Sequence, residues 1–196
     1  MTAKTKKTED ILNEAQGISC PVRRTLFYMG EFLAGPMCGR CFPCAMGSYE
    51  ARVRLEKIAG AQGTPEDIMA LGRIARKMQA MSMCKKGKDT ARVLLEALAS
   101  PAFSEHVEGR CGEKECRAFI EYRNVPENCI RCGLCQEACQ SAAIIGEKQV
   151  SYKCCYLPFE IRQRRCTKCG ECIKVCPTSA IEVVAIGQEA REKVKA

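Results

Sequence analysis

Seventeen cysteines stand among 196 residues, and most of them fall at spacings that suit metal ligands. Cys129, Cys132, Cys135 and Cys139 follow C-x2-C-x2-C-x3-C, and Cys166, Cys169, Cys172 and Cys176 repeat the pattern, closing with Pro177. Two-residue gaps let three thiolates wrap the irons of one cube, and the fourth cysteine of each run ligates the cube held by the other run. This assigns one 4Fe-4S cluster to Cys129, Cys132, Cys135 and Cys176, and a second to Cys166, Cys169, Cys172 and Cys139. Gly133 and Gly170 allow the backbone to turn tightly over sulfur. Two tetrahedral zinc sites are the alternative that such spacing offers, but a duplicated pattern of eight cysteines fits cubes far better. A further run, Cys38-Gly39-Arg40-Cys41-Phe42-Pro43-Cys44, supplies three ligands at the same spacing, with Cys84 forty residues after Cys44 as candidate fourth ligand. His106, Cys111 and Cys116 form H-x4-C-x4-C, a thiolate and imidazole set suited to structural zinc once a fourth ligand joins it. The plainer alternative is that His106 caps a helix end and the thiols are merely buried. Cys20, Cys154 and Cys155 remain outside these patterns.

The elements that must position these residues divide the chain. Residues 1–16 are polar, lack an apolar period and read as a mobile arm. Leu26–Met37 reads as a short helix stopped by Gly35 and Pro36. From Ser48 to about Val107 the pattern is helical. Thr64-Pro65-Glu66-Asp67 is a helix start, with a hydroxyl cap, proline at the first position and acids facing the dipole. Ile68, Leu71, Ile74, Met78 and Met81 then share one face, and the methionines are expected in the core. Asp89 is the expected cap of a further helix carrying Ala91, Leu94, Leu95 and Leu98, ended near Pro101. The second half is an internal duplication: NCIRCGLCQEACQSAAI recurs 37 residues later as RCTKCGECIKVCPTSAI. Between the copies, VSYKCCYLPFEI suits short strands. The expected architecture is α+β: a small helical bundle holding one 4Fe-4S cluster (17–110), a linker with a metal clip (111–124), a two-cluster ferredoxin-like domain (125–187) and a charged tail (188–196).

Composition narrows the functional classes. The opening MTAKTKKTED lacks the apolar stretch of a signal peptide, no segment approaches a membrane span, and the expected setting is a reducing cytoplasm that keeps thiols free for metal. The formal charge is +8 with every cysteine counted neutral. Metal-bound thiols are deprotonated, so each oxidised cluster carries about -2 and three clusters bring the total close to neutral. The basic excess therefore argues little for nucleic acid, and no recognition helix with interleaved basic and aromatic residues is visible.

Residues 126–185 resemble bacterial two-cluster ferredoxins, with Gln140 in place of the proline that usually follows the fourth cysteine. Residues 19–107 look like the C-terminal iron-sulfur domain of the NADH-binding flavoprotein subunit of respiratory complex I and its hydrogenase relatives. The resemblance rests on C-G-x-C-x-P-C at Cys38–Cys44, on Ser82-Met83-Cys84 and on Phe103 to His106. Pro36-Met37 and Ala45 depart from the residues usual around the motif. The order of the two parts is similar to the tail of flavoprotein subunits in electron-bifurcating hydrogenases and related formate dehydrogenases. The resemblance implies Cys84 as the fourth ligand of the cluster held by Cys38, Cys41 and Cys44. It also favours Cys20 as the fourth zinc ligand, with Cys155 second, in a clip that fixes the junction of the two parts.

Together these features point to a subunit without a catalytic centre of its own, relaying single electrons through three 4Fe-4S clusters. Its expected partners are flavoprotein, hydrogenase or formate dehydrogenase subunits and ferredoxin in a soluble hetero-oligomer. No G-x-G-x-x-G follows a strand, so no nucleotide-binding unit is expected. A free-standing polyferredoxin and a cluster-based redox sensor are the alternatives.

Overall fold

The computed structural model describes residues 6–150 and 159–186. The chain separates into two compact units, Met1–Phe119 and Ile120–Ala196.

The first unit is helical: α1 (Thr8–Ala15), α2 (Pro21–Ala34), α3 (Phe42–Ala59), α4 (Pro65–Met81), α5 (Lys85–Leu98) and α6 (Ala102–Val107). Its core gathers Tyr28, Met29 and Phe32 from α2, Leu55 and Ile58 from α3, Leu71 from α4, Leu94 from α5, and Phe103 and Phe119. Burying a leucine or phenylalanine side chain of this kind stabilises the fold by about 1.5–3 kcal/mol. The Tyr28 and Phe32 rings stack at 6.4 Å, and the Tyr28 hydroxyl meets Thr90 Oγ1 at 3.3 Å, so the tyrosine's polar tip is paired inside this core. α4 begins as expected: Thr64 Oγ1 accepts from the Asp67 N–H at 3.3 Å, and Asp67 accepts from the Thr64 N–H at 3.1 Å. Arg54 of α3 then donates to Asp67 Oδ1 at 2.7 Å, which ties the start of α4 to α3.

Several sequence expectations are corrected here. Residues 8–15 of the expected arm form α1, because Ile11 and Ala15, one turn apart, are buried as a narrow apolar stripe. α2 starts at Pro21 instead of Leu26, since Pro21 is pre-set for the first helical position and Val22 and Thr25 already face the core. Asp89 does not cap a helix: α5 begins after Cys84, and Asp89 sits inside it, paired with Arg92 at 3.1 Å. Of the methionines, Met29 and Met78 are buried, whereas Met81 is 62% exposed and Met46, Met69 and Met83 are also exposed. Met81 closes α4, where the helix has run past the core. The stretch 111–124 is divided: Cys111, Cys116 and Phe119 are buried in the first core, and Ile120–Asn124 form the first strand of the second unit.

The second unit pairs β1 (Ile120–Asn124) with β4 (Ile181–Ala185), and β2 (Ile144–Ile145) with β3 (Glu160–Ile161), both antiparallel. The registers are Ile120↔Ala185 to Asn124↔Ile181 and Ile144↔Ile161. Two single-turn helices, α7 (Leu134–Glu137) and α8 (Glu171–Lys174), follow the cysteine loops. The sequence duplication is thus a structural one, and Ile120, Tyr122, Ile144, Phe159, Ile161 and Ile181 make its small core. Cys154, Cys155 and the charged tail from residue 188 lie outside the described residues. No helix among the described residues is long and apolar enough to cross a membrane.

Candidate iron-sulfur and metal sites

In the second unit the left-handed backbone positions recur with the duplication. Arg131, Gly133 and Ala142 have φ of 56°, 79° and 47°, and their counterparts Lys168, Gly170 and Ser179 have 55°, 85° and 51°. Each left-handed residue reverses the local direction of the chain, so the loop curls around a centre instead of running past it. Cys129, Cys132, Cys135 and Cys176 line one small cavity. Cys139, Cys166, Cys169 and Cys172 line another. The fourth cysteine of each run therefore faces the cavity of the other run.

Backbone and hydroxyl groups aim at the crossing sulfurs. Ala143 N–H donates to Cys139 Sγ at 3.3 Å and Ala180 N–H to Cys176 Sγ at 3.2 Å, and Lys168 N–H donates to Cys166 Sγ at 3.4 Å. Burial pushes the Cys139 and Cys176 thiols up, but the hydroxyls of Ser141 and Thr178 and neighbouring backbone N–H groups outweigh it and leave both below the ordinary thiol value. Cys172 is pushed up to about 11, by burial first and then by Cys166, Cys169, Cys135 and Cys139 around it. Four thiols crowded in this way repel as thiolates unless a cation shares them.

In the first unit Cys38, Cys41 and Cys44 run from the loop before α3 into its first turn, and Cys84 immediately precedes α5. Cys41 and Cys84 are the N-terminal caps of α3 and α5, in extended conformation at φ of -122° and -118°. Two helix N-termini, each with partial positive charge, thus carry cluster-ligand candidates. The Cys44 thiol is pushed up to about 11, by burial first and then by Cys41, Cys84 and Cys38 close by. Cys41 and Cys44 are buried while Cys38 and Cys84 are exposed, so this site opens on one side to the surface.

Cys20, His106, Cys111 and Cys116 are all buried, and their ligand atoms lie within 4.8 Å of one another. Cys20 Sγ is 3.4 Å from His106 Nε2, 3.6 Å from Cys116 Sγ and 3.9 Å from Cys111 Sγ. His106 Nε2 is 3.2 Å from Cys116 Sγ. A tetrahedron with Zn–S of about 2.3 Å and Zn–N of about 2.0 Å has edges of about 3.8 Å between sulfurs and about 3.5 Å between sulfur and nitrogen, which is the observed scale. His106 Nδ1 donates to the Ala102 carbonyl at 2.6 Å, one turn back on α6, leaving Nε2 as the lone-pair donor. The Phe119 ring meets the imidazole edge-on at 4.8 Å. The Cys20 thiol is pulled down to about 4, first because Cys116 hydrogen-bonds to it, and Cys116 is correspondingly raised.

Glu115 was not legible as part of this site. Its carboxylate accepts from the N–H groups of Ser19 and Cys20, each at 3.0 Å, and Arg23 donates to its carbonyl at 2.8 Å. It fastens the start of α2 to the 111–119 segment, and no local sequence signal marks a partner 95 residues away. Ser48, one turn after Cys44, was missed as well, and Ser82 was read only as part of the Ser82-Met83-Cys84 motif. Only the i, i+4 spacing of Cys44 and Ser48 on one helix face pointed to a contact.

The family described as NADH-ubiquinone oxidoreductase-F iron-sulfur binding region matches residues 24–110. The 4Fe-4S binding domain matches residues 123–145 and 159–182. The NADP-reducing hydrogenase subunit HndC of Solidesulfovibrio fructosivorans is 28% identical over 133 residues, 66% of this chain and 27% of the relative. The NADP(+)-dependent formate dehydrogenase subunit beta of Moorella thermoacetica is 38% identical over 68 residues, 35% of this chain and 10% of the relative. An NADH-quinone oxidoreductase subunit of Aquifex aeolicus (strain VF5) is 33% identical over 70 residues, 36% of this chain and 16% of the relative. The aligned regions thus span 27% or less of these relatives' own lengths. Both parts of the chain are thus similar to iron-sulfur regions, the first to the NADH-ubiquinone oxidoreductase-F iron-sulfur binding region and the second to a paired 4Fe-4S binding domain.

Proposed function

We propose that this chain holds three 4Fe-4S clusters and one structural zinc ion, and relays single electrons between partner subunits of a hydrogenase-type or formate dehydrogenase-type oxidoreductase complex. The observation that carries the reading is the sorting of twelve cysteines into three groups of four, two of which exchange their fourth member between sequence runs. That exchange suits two neighbouring cubes and has no purpose for two separate zinc sites. A 4Fe-4S cluster, when bound, supplies one-electron chemistry at potentials set by its surroundings.

The residues do the rest. Cys38, Cys41, Cys44 and Cys84 hold the first cluster at an open edge. Cys129, Cys132, Cys135 and Cys176 hold the second, and Cys166, Cys169, Cys172 and Cys139 the third. The N–H groups of Ala143, Lys168 and Ala180 and the dipoles of α3 and α5 offset the negative charge of the sulfurs. Cys20, His106, Cys111 and Cys116 take zinc in a closed site, the donor set and spacing of a structural ion. This clip ties the start of α2 to the segment after α6. Flavin and nicotinamide chemistry, on this reading, belongs to partner subunits, as do the substrates.

The test is anaerobic purification from the native source with identification of co-purifying subunits, and iron, sulfide and zinc analysis of the chain. About twelve irons and one zinc per chain, in a stoichiometric complex, are expected. Iron near eight would reject the first cluster, and zinc absent from iron-loaded protein would reject the clip.

A further inference from the structure

Among the described residues, three buried side-chain polar atoms lack a hydrogen-bond partner, and two of them, Ser48 Oγ and Ser82 Oγ, belong to the surroundings of Cys44. Ser48 is fully buried, one turn after Cys44 on the same face of α3, and Ser82 is 3% exposed, two residues before Cys84. Gly87, in the first turn of α5, shows how closely the groups converge. A Cβ placed on it would lie 2.8 Å from Ser82 Oγ and 3.1 Å from Cys44 Sγ. Ser48 pulls the Cys44 thiol's pKa down against the effect of burial, yet its hydroxyl completes no regular hydrogen bond.

An unpartnered buried hydroxyl is costly, and two at one spot call for an acceptor that satisfies both. A thiol is a weak acceptor; a metal-bound thiolate is a strong one. We infer that Ser48 and Ser82 are positioning residues of the first cluster, whose hydroxyls donate to the sulfur atoms around Cys44 and thereby set the reduction potential of that cluster alone. The inference rests on assigning Cys38, Cys41, Cys44 and Cys84 to one cluster, and goes beyond it by naming what tunes it. Gly87 keeps the space between hydroxyl and sulfur free of a methyl group. In the second unit the corresponding donors are mainly backbone N–H groups, on Cys139, Cys166 and Cys176, which no side-chain substitution removes.

The physical direction follows from charge. Adding an electron makes the sulfurs more negative, so a fixed donor stabilises the reduced level more than the oxidised one, and strongly so in a buried site. Losing a donor makes reduction harder. Each of Ser48→Ala and Ser82→Ala is expected to weaken the reduction equilibrium of the first cluster about three- to tenfold, or about 30–60 mV more negative at 59 mV per tenfold for one electron.

The experiment is an EPR-monitored redox titration of the full, iron-loaded chain, unmodified and carrying Ser48→Ala, Ser82→Ala or both. A negative shift confined to the first cluster, with Ser82→Thr restoring the potential by restoring a hydroxyl, supports the inference. An intact first-cluster signal at an unchanged potential in the double variant overturns it, as does an equal shift of all three clusters. Should the alanine variants fail to hold iron, pulsed ENDOR on the unmodified protein in water and deuterium oxide decides. Strongly coupled exchangeable protons at the first cluster's g-values support the hydroxyl donors, and their absence overturns them. A chain with iron near eight and no first-cluster signal rejects the cluster assignment itself, and the inference with it, which is distinct from an intact cluster indifferent to both serines.

Discussion

Cys139 stands four residues after Cys135, yet it lines the cavity of the other run, and this separation of neighbours gives the sharpest test at the residue scale. Cys139→Ser is expected to damage the cluster of the Cys166 run and spare that of the Cys129 run, and Cys176→Ser to do the reverse. Mössbauer and EPR spectra of the two variants check the exchange. Cys84→Ser should remove or convert the first cluster, lowering iron from about twelve toward about eight per chain while the ferredoxin-type pair persists. At the zinc clip, His106→Ala should release zinc and retain iron, because its Nε2 is the only nitrogen in a set of three sulfurs. Elemental mass spectrometry on protein prepared without added metal reads both quantities. Here the sequence was informative for ligand types and nearly silent on what surrounds them. The cysteines announce themselves by spacing, whereas Glu115, Ser48 and Ser82 have ordinary identities and gain their roles only from what folding brings beside them.

At the scale of elements, the best-tied junction of the first unit is the start of α4. Asp67 is buried and accepts from Arg54 and from the backbone and side chain of Thr64. Burial pushes its carboxyl up, but the Thr64 N–H and the Arg54 guanidinium outweigh that and hold it below the usual carboxylate range. A carboxyl depressed in the folded state stabilises above its unfolded value of about 3.9, and this contribution disappears as the pH falls through the lower folded value. Asp67→Asn is therefore expected to cost about 1–3 kcal/mol at neutral pH, with the difference from the unmodified protein closing below about pH 4. Anaerobic urea unfolding at several pH values measures this. Thr64→Ala should cost about 1 kcal/mol through the lost cap. This helix start was legible because capping chemistry is local. The start of α5 was not, because Cys84 caps it without a side-chain hydrogen bond, and nothing in its sequence competes with Asp89 as an apparent cap. α1 was missed for a related reason: two buried residues one turn apart make too short a period to stand out.

For the whole molecule the governing quantity is charge. The apo chain carries +8 with neutral thiols, and the three proposed clusters at about -2 each would bring it close to neutral. Anaerobic native isoelectric focusing should show the loaded protein well to the acidic side of apoprotein in which the thiols are kept reduced. The isolated chain is expected to bind neither NADH nor FMN, checked by calorimetry and by flavin analysis of the purified chain. Stoichiometric flavin would contradict the relay reading. Within a complex, loss of one cluster should slow electron transfer between the partner sites and leave partial reactions at each end intact, as measured with artificial donors and acceptors.

The sequence by itself determined the candidate ligands, the duplication and the division into a helical part and a small mixed part. These depend on residue type, on spacing within a few residues and on hydrophobic period, all of which are local and additive along the chain. The tertiary structure decided what depends on proximity. It set Cys20 at 3.4 Å from His106 across 86 residues, where the resemblance had only favoured it. It placed Glu115 on the backbone of Cys20, put 111–119 into the first core, and brought the buried Ser48 and Ser82 into the surroundings of Cys44. Such contacts arise from how helices pack, and packing is fixed by the fit of whole surfaces, which no short stretch of sequence contains.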